Sequence, residues 1–229
     1  MSLTKRCRKV ILKARICRTD KNGGRKGRTY MIDRGYLLLT DGSKEYFPEG
    51  IRVLEGFQKR EDIKAVHLPN SVVLIGEHCF ENCKNLETVT CDKENSRLQH
   101  IGSHGFYWCQ NLREVTFPNA LTTIGDWAFC GARMTLLDLR GTKVAYMGPC
   151  AFMHCILRWA YLPATLHVIT ENCFTCCMLL QSVETEGAIK MVEPLAFDAC
   201  HELACAPKLY PGAKIFEMKN EELLKLVND

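Results

Sequence analysis

One short hydrophobic pattern recurs along residues 51–209. Its clearest marker is phenylalanine, which returns at separations of 23, 26, 23, 23, 22 and 23 residues. The seven copies are marked by Phe57, Phe80, Phe106, Phe129, Phe152, Phe174 and Phe197. A fixed period between about 20 and 50 residues is typical of stacked repeats. The spacing therefore predicts a solenoid of about seven coils, none of which can bury its apolar side chains without a neighbour.

Other positions keep the same register. A strand pattern with alternating apolar residues precedes each new copy, as in Leu112, Val115 and Phe117. An apolar residue stands five positions before six of the phenylalanines: Ile75, Ile101, Ile124, Met147, Ile169 and Val192. The first four of these are followed by glycine, which predicts a turn leading into a short helical segment that carries the phenylalanine inward.

The repeats resemble a known family. The segments LPNSVVLIGEHCFENCKNLETVTC and FPNALTTIGDWAFCGARMTLLDL are similar to BspA-type (Treponema pallidum-type) leucine-rich repeats. The resemblance covers about 160 of the 229 residues. It implies an α/β solenoid: a right-handed arc with a parallel strand ladder on one face and short helical or irregular segments on the other. It also implies a binding function, since such repeats serve in adhesion and protein interaction.

The two ends of the repeat region resemble caps. Residues 28–50 have strand patterns on both sides of Asp41 and Gly42, a strong two-residue turn signal, and predict a β-hairpin cap. Residues 210–229 end in NEELLKLVND, which predicts a short C-terminal capping helix with Asn220 as its N-cap. Between these caps, residues 51–209 form the predicted solenoid.

Residues 1–27 form a basic arm. Residues 1–30 contain eleven Lys and Arg against one acid, Asp20, so the rest of the chain sums to −6 when the total is +4. The arm is a candidate anion-binding segment for RNA, DNA or a ribonucleoprotein; a solvated tail and adsorption to an anionic membrane surface are the alternatives. Its candidate residues are Lys5, Arg6, Arg8, Lys9, Lys13, Arg15, Arg18, Arg25, Lys26 and Arg28.

Fourteen cysteines would suit a disulfide framework only in an oxidising compartment. The chain has no Asn-x-Ser/Thr sequon, no apolar N-terminal segment and no apolar run of the roughly 20 residues that a membrane helix needs. We therefore expect a cytoplasmic protein, with a nuclear location as a possibility, and no membrane span. Because coils stack in a straight row, we expect the repeated cysteines to form a column of buried thiols and not a metal cage, with disulfides between coils as the alternative, and we expect no metal and no cofactor.

The strand ladder carries the candidate binding site. Residues flanking the central strand position must point outward, and Trp159 and Tyr161 are exposed aromatic anchors in this pattern. The predicted protein-binding set adds the residues that border or continue this face: Asp138, Glu114, Glu184 and His67. No phosphate loop, dinucleotide fingerprint or nucleophile elbow occurs. The sequence thus predicts a non-catalytic scaffold for another protein, without a small-molecule substrate; the alternative is a structural subunit associated with nucleic acid or a ribonucleoprotein.

Overall fold

The structure, a computed structural model, describes residues 34–215. These residues contain only strands and turns. The strands are β1 Tyr36–Leu39, β2 Lys44–Tyr46, β3 Val53–Leu54, β4 Ile63–His67, β5 Leu74–Ile75, β6 Thr88–Thr90, β7 His100–Ile101, β8 Glu114–Val115, β9 Thr123–Ile124, β10 Leu136–Asp138, β11 Tyr146–Met147, β12 Trp159–Leu162, β13 Val168–Ile169, β14 Ser182–Thr185, β15 Ile189–Val192 and β16 Leu209–Ile215.

Successive coils build two parallel ladders. The first ladder contains β4, β6, β8, β10, β12 and β14, and the second contains β3, β5, β7, β9, β11, β13, β15 and β16. A residue of one coil lies opposite its equivalent in the next, as Leu137 does opposite Ala160 in β10 and β12. The predicted parallel-strand solenoid of about seven coils is therefore confirmed. The second ladder was not predicted, because most of its strands have only two residues and leave no alternation to detect.

Each ladder is interrupted once along its backbone pairing. The first ladder divides between β8 and β10, at the coil where Ala132 replaces the usual cysteine. The second ladder divides between β11 and β13, where Thr170 stands in the position that glycine occupies in earlier coils. There, hydroxyl groups bridge the rungs: Thr170 Oγ1 donates to the Met147 carbonyl at 2.8 Å and Thr165 Oγ1 to the Val144 carbonyl at 2.6 Å. Side chains thus satisfy carbonyls that the backbone leaves unpaired.

The seven phenylalanines form one column through the core. Neighbouring rings are stacked, with centroids 5.1 to 5.8 Å apart and planes within 12° of parallel. All seven side chains are buried, and those from Phe80 to Phe174 have no exposed surface. The repeat period is therefore the spacing of one continuous aromatic stack, whose stability resides in contacts between neighbouring coils.

The segments that present these phenylalanines are turns, so the predicted helical segments and the α/β assignment are not supported. In most coils the residues two before and two after the phenylalanine have positive φ, as at His104 (56°) and Trp108 (53°) around Phe106. The backbone N–H groups of these turn segments bond to the next coil. For example, the Phe80 N–H donates to the Gly105 carbonyl oxygen at 2.8 Å. A helix would need those donors for bonds within its own segment and cannot pass through left-handed residues.

A glycine follows each of the second-ladder strands β5, β7, β9 and β11, and at most of these positions the backbone of the preceding coil leaves no room for a side chain. A Cβ atom on Gly125 would lie 2.5 Å from the Ser103 backbone nitrogen, and one on Gly148 would lie 2.5 Å from the Asp126 backbone nitrogen. Neither glycine is among those with positive φ. These positions are therefore glycine because two backbones approach closely, and not because of the turn conformation that the sequence suggested.

The repeated cysteines form a hydrogen-bonded column beside the aromatic stack. Each thiol donates to the carbonyl oxygen of the phenylalanine one coil earlier, at 3.0 to 3.2 Å: Cys83 to Phe57, Cys109 to Phe80, Cys155 to Phe129, Cys177 to Phe152 and Cys200 to Phe174. Burial raises the pKa of Cys83 and of Cys200 to about 12. These thiols therefore stay protonated and act as small apolar residues with one donor.

A β-hairpin covers one edge of the first ladder. Strands β1 and β2 are antiparallel, and Ser43 donates its N–H and hydroxyl to Asp41 Oδ1 at 2.8 and 2.6 Å, at the predicted turn. Strand β1 also pairs antiparallel with β4, and Arg60 links the hairpin residue Glu45 to Asp62 of the first coil. The hairpin therefore protects a ladder edge that would otherwise be open to pairing.

At the C-terminal end of the solenoid, the first residues of the predicted capping helix have a different structure. The capping helix was expected over residues 210–229, but Leu209–Ile215 form strand β16, which pairs with β15 and extends the second ladder. Pro211 and Gly212 disfavour a helix at this point, and the residue at 212 has positive φ. Asn220 and the rest of the predicted helix lie outside the described residues, as does the basic arm of residues 1–27.

Candidate functional site

The outward positions of the first ladder align in two rows. One row places Leu136, Trp159 and Ser182 opposite one another on β10, β12 and β14, and the other places Asp138, Tyr161 and Glu184 opposite one another. The side chains between them, such as Leu137 and Ala160, are buried. The ladder thus presents a flat surface whose chemistry changes from coil to coil while the core behind it remains constant.

Leu136 and Trp159 form the apolar centre of this surface. They lie opposite each other on hydrogen-bonded strands, and 45% of Leu136 and 41% of Trp159 are exposed. Burying both side chains against a partner would remove a large apolar area from water, and each Å² of this area would stabilise the complex by about 25 cal/mol. The sequence singled out Trp159 as an anchor, but its contact with Leu136 depends on the register between two coils.

Tyr161 lies beside this centre and is covered on one face by a cation. The Arg140 guanidinium is 4.1 Å from the Tyr161 ring centroid and is held there by Asp138. Arg140 Nε and Nη2 donate to the two Asp138 carboxylate oxygens at 2.8 and 2.7 Å. These bonds hold the pKa of Asp138 below its usual value. Asp138 therefore orients Arg140, and the charge of Asp138 is neutralised within the pair. This role of Arg140 was not predicted from the sequence.

The remaining predicted residues lie at different distances from this centre. Glu184 is exposed next to Tyr161, and Glu114 is exposed on β8, across the interruption of the first ladder. His67 lies on β4, where its ring is 5.3 Å from the Tyr36 ring and its Nδ1 is 3.0 Å from Thr90 Oγ1. With rungs about 4.8 Å apart, His67 is several coils away from Trp159 and belongs to the hairpin end.

Arginines border the apolar centre at the start of the strands. Arg113 and Arg158 directly precede the first residues of β8 and β12, and both are exposed. Neither has an ion-pair partner among residues 34–215. On the other side, Glu184 and Glu186 are exposed. The surface therefore has an apolar middle, two arginines without ion-pair partners at one edge, and Glu184 and Glu186 together with Arg140 at the other. The ten anion-binding candidates of the basic arm lie outside the described residues.

A second aromatic group lies on the turn segments, on a different side of each coil. The His78 and His104 rings are stacked 4.7 Å apart, and the Trp127 ring lies parallel to His104 at 6.2 Å. The Tyr107 ring stands nearly perpendicular to Trp108 and Trp127, at 6.1 Å from each. This cluster was not predicted, because each histidine was interpreted alone. A signal was present in the sequence, since His78, His104 and Trp127 each stand two positions before a column phenylalanine.

The surroundings of His104 are expected to make the stability of the protein depend on pH. Burial, and the neighbouring His78, lower the pKa of His104 below the value of 6.5 expected in the unfolded chain. Its Nδ1 is buried without a hydrogen-bond partner, while Glu77, Glu81 and Asp126 are the nearby acids.

We therefore expect the free energy of unfolding to fall as the pH drops from about 7 to about 5, since below 6.5 the unfolded chain takes up the proton first. Urea unfolding at both pH values measures the change. His104→Asn should remove part of it, because Asn tolerates positive φ and does not titrate. An equal pH dependence in both proteins would contradict this assignment.

Three features that often accompany other functions are a metal-binding cluster, a membrane-spanning helix and a cleft, and the described residues 34–215 have only the last of these. No group of three or more His, Cys, Asp or Glu side chains is arranged to hold a metal ion there, and no helix long and apolar enough to cross a membrane occurs. A cleft of about 520 Å³ lies between the hairpin and the first coils, lined in part by Arg34, Asn70 and Arg97. The residues that line the cleft include no cysteine and no histidine, so it has no Cys–His or Ser–His pair of the kind that nucleophilic catalysis uses.

A stack of parallel-strand coils with one buried phenylalanine per coil defines a leucine-rich-repeat solenoid. The chain belongs to the BspA type leucine rich repeat family, whose model matches residues 54–135 and 99–206 in six copies. The resemblance on which the sequence analysis relied is thereby confirmed. Proteins of this class are generally non-catalytic interaction scaffolds.

One solved structure supports the fold. A leucine-rich repeat protein from Bacteroides ovatus is similar to this chain with a TM-score of 0.64 and 23% identity, over 78% of this chain and 46% of that one. The chain thus spans less than half the length of that protein. The leucine-rich repeat protein of T. pallidum matches with a TM-score of 0.48 and 18% identity, over 87% of this chain and 96% of that one. A search of curated proteins finds no match.

Proposed function

We propose that this protein is a non-catalytic scaffold that binds another protein through the first ladder, centred on Leu136, Trp159 and Tyr161. The observation that carries the proposal is the alignment of two exposed apolar side chains, Leu136 and Trp159, on paired strands of an otherwise polar surface. Isolated exposed apolar residues are common, whereas adjacent large ones bordered by charges are typical of interface centres.

The edges of the surface suggest the chemistry of the partner. Arg113 and Arg158 lie on one side of the apolar centre without ion-pair partners among the described residues, and Glu184 and Glu186 lie on the other. A partner that inserts an apolar side chain between Leu136 and Trp159 would place carboxylates against the two arginines. The Arg140 guanidinium, held by Asp138, keeps Tyr161 in a fixed position and so lowers the entropy that the tyrosine loses on binding.

The basic arm would supply a separate contact with an anionic partner such as RNA, DNA or a ribonucleoprotein. Deleting residues 1–27 separates this contact from the ladder. If the ladder carries binding, the deleted protein retains its partner from native lysate at low and at high salt, with and without nuclease treatment. Loss of the partner on deletion, or on nuclease treatment, would favour the nucleic-acid-associated subunit instead, since phosphate contacts weaken steeply with salt.

The same proposal includes a reducing compartment, cytoplasmic or nuclear. It is supported by the five column thiols, each of which donates a hydrogen bond that requires the protonated form. When the protein is isolated under acid quench, unfolded and alkylated, we expect Cys83, Cys109, Cys155, Cys177 and Cys200 to be modified without prior reduction. A disulfide at any of these five positions in the isolated protein would contradict the proposal.

A further inference from the structure

The turn segments form a surface of their own, which we call the turn face: residues 76–82, 102–108, 125–131, 148–154, 170–176 and 193–199. Its centre is the aromatic group of Tyr107, Trp108 and Trp127 together with the stacked histidines His78 and His104. His78 is exposed, and the other four residues are partly exposed. This surface lies apart from the first ladder, because the turn segments and the ladder strands occupy different sides of each coil.

The turn face has a uniform charge. Its six segments contain no Lys or Arg, unlike the equivalent segment of the first coil, which has Lys59, and they carry six carboxylates: Glu77, Glu81, Asp126, Glu171, Glu193 and Asp198. Some of these acids have local partners, since Glu81 accepts from His78 at 2.8 Å and Glu193 accepts the Glu171 N–H at 2.9 Å. Glu77, Glu171 and Asp198 are exposed and have no cation within the turn face. Aromatic rings surrounded by uncompensated carboxylates favour Lys and Arg, which bind to both.

We propose that the turn face binds the chain's own basic arm, residues 1–27. The arm contains ten Lys and Arg and one acid, so its charge of +9 complements the six carboxylates of the turn face. The contact would combine charge pairs at the acids with cation–π contacts at Trp108 and Trp127.

The arm is also long enough. It is joined through residues 28–33 to Arg34, the first described residue. A chain of that length spans up to about 110 Å when extended, whereas seven coils at about 4.8 Å spacing extend over about 29 Å. Every part of the turn face is therefore within reach. This inference is independent of the ladder site, and it means that an anionic partner must compete with the turn face for the arm.

The three tryptophans of the chain provide a test with an internal control. Trp108 and Trp127 lie on the turn face, and Trp159 lies on the first ladder. In two-dimensional NMR spectra of the full chain, we expect the indole N–H resonances of Trp108 and Trp127 to move when NaCl is raised from about 20 mM to about 500 mM, because salt screens the contact with the arm. The Trp159 resonance should stay in place. Resonances of Trp108 and Trp127 that do not respond to salt would overturn the proposal.

Charge neutralisation provides the matched comparison. The variant Glu77→Gln, Glu171→Gln, Asp198→Asn alters only exposed acids, and its Trp108 and Trp127 resonances should stand at the high-salt positions already at low salt. The control Glu114→Gln, Glu184→Gln, Glu186→Gln removes the same charge from the first ladder and should retain the salt response of the original chain. A lost response in the control, or a retained one in the turn-face variant, would contradict the proposal.

Protein concentration distinguishes the chain's own arm from that of a second copy. An intramolecular segment acts at a fixed effective concentration, so the low-salt resonance positions should not change over about a tenfold range of protein concentration. Movement of the Trp108 and Trp127 resonances with concentration would mean that the arm docks on another molecule, which would overturn the proposed occupant. The ladder proposal would be unaffected by either result, since Trp159 reports on that surface separately.

Discussion

Replacing Phe129 with alanine is expected to lower the free energy of unfolding by about 3–5 kcal/mol, because the cavity opens inside a closely packed column. The Phe129 ring is fully buried and stacks on Phe106 at 5.1 Å and on Phe152 at 5.4 Å. Phe117 contacts it edge-on at 5.6 Å. The substitution therefore removes contacts on both sides of a central coil, and in a solenoid the contacts between neighbours supply most of the stability.

Urea unfolding measures this loss, and Phe197→Ala provides the comparison. Phe197 is 4% exposed and, among the described residues, stacks on one ring only, that of Phe174 at 5.4 Å. We expect the Phe197 variant to lose less than the Phe129 variant. We also expect Phe129→Ala and Phe152→Ala to be non-additive by at least about 0.5 kcal/mol, since the two rings are in direct contact. Equal losses at positions 129 and 197 would contradict the column as the main stabilising element.

Replacing Trp159 with alanine is expected to weaken binding of the protein partner by about 2–4 kcal/mol, which corresponds to roughly 30-fold or more in Kd. Interface centres rich in Trp and Tyr contribute most of the binding free energy, and Trp159 is the largest exposed apolar residue on the first ladder. The same change should alter the free energy of unfolding by only about 0.5 kcal/mol, as substitutions of exposed side chains usually do. Affinity and stability should therefore separate at this position.

The sequence predicted the solenoid well because its core is periodic. The phenylalanine spacing and the alternation in segments such as Leu112, Val115 and Phe117 report directly on burial, and burial repeats from coil to coil. The hairpin could be placed because the chemistry of Asp41 and Gly42 is local to the turn.

The turn segments were harder to predict. The positive φ angles at Trp127 and Cys150 have no marker in the sequence, since glycine, asparagine or histidine would be the usual residues there. Their N–H groups bond to the following coil, and a prediction that examines one coil at a time assigns those donors to a helix. The two-residue strand Leu74–Ile75 was missed as a strand for a related reason, because it is defined by pairing with its neighbours and not by its own pattern.

The candidate site was predictable only in part. The outward positions of Trp159 and Tyr161 follow from alternation along β12. The contacts that give the surface its shape join different coils: Leu136 reaches Trp159 through the strand register, and Arg140 reaches the Tyr161 ring across 21 residues of sequence. Arg140, Gly141 and Thr142 stand where other coils have a proline directly after the strand, such as Pro118 or Pro163, so this coil departs from the repeat pattern. The effect of this change is a contact between two coils, which the sequence of a single coil does not show.

The affinity of the isolated protein partner for the full chain, for Trp159→Ala and for Tyr146→Ala tests the central claim most directly. Tyr146 is 47% exposed on β11 of the second ladder and so matches Trp159 as an exposed aromatic residue on the other face. Isothermal titration calorimetry should give a Kd raised roughly 30-fold or more for Trp159→Ala and changed by less than about twofold for Tyr146→Ala. An unchanged Kd for Trp159→Ala, or an equal loss in both variants, would contradict binding through the first ladder.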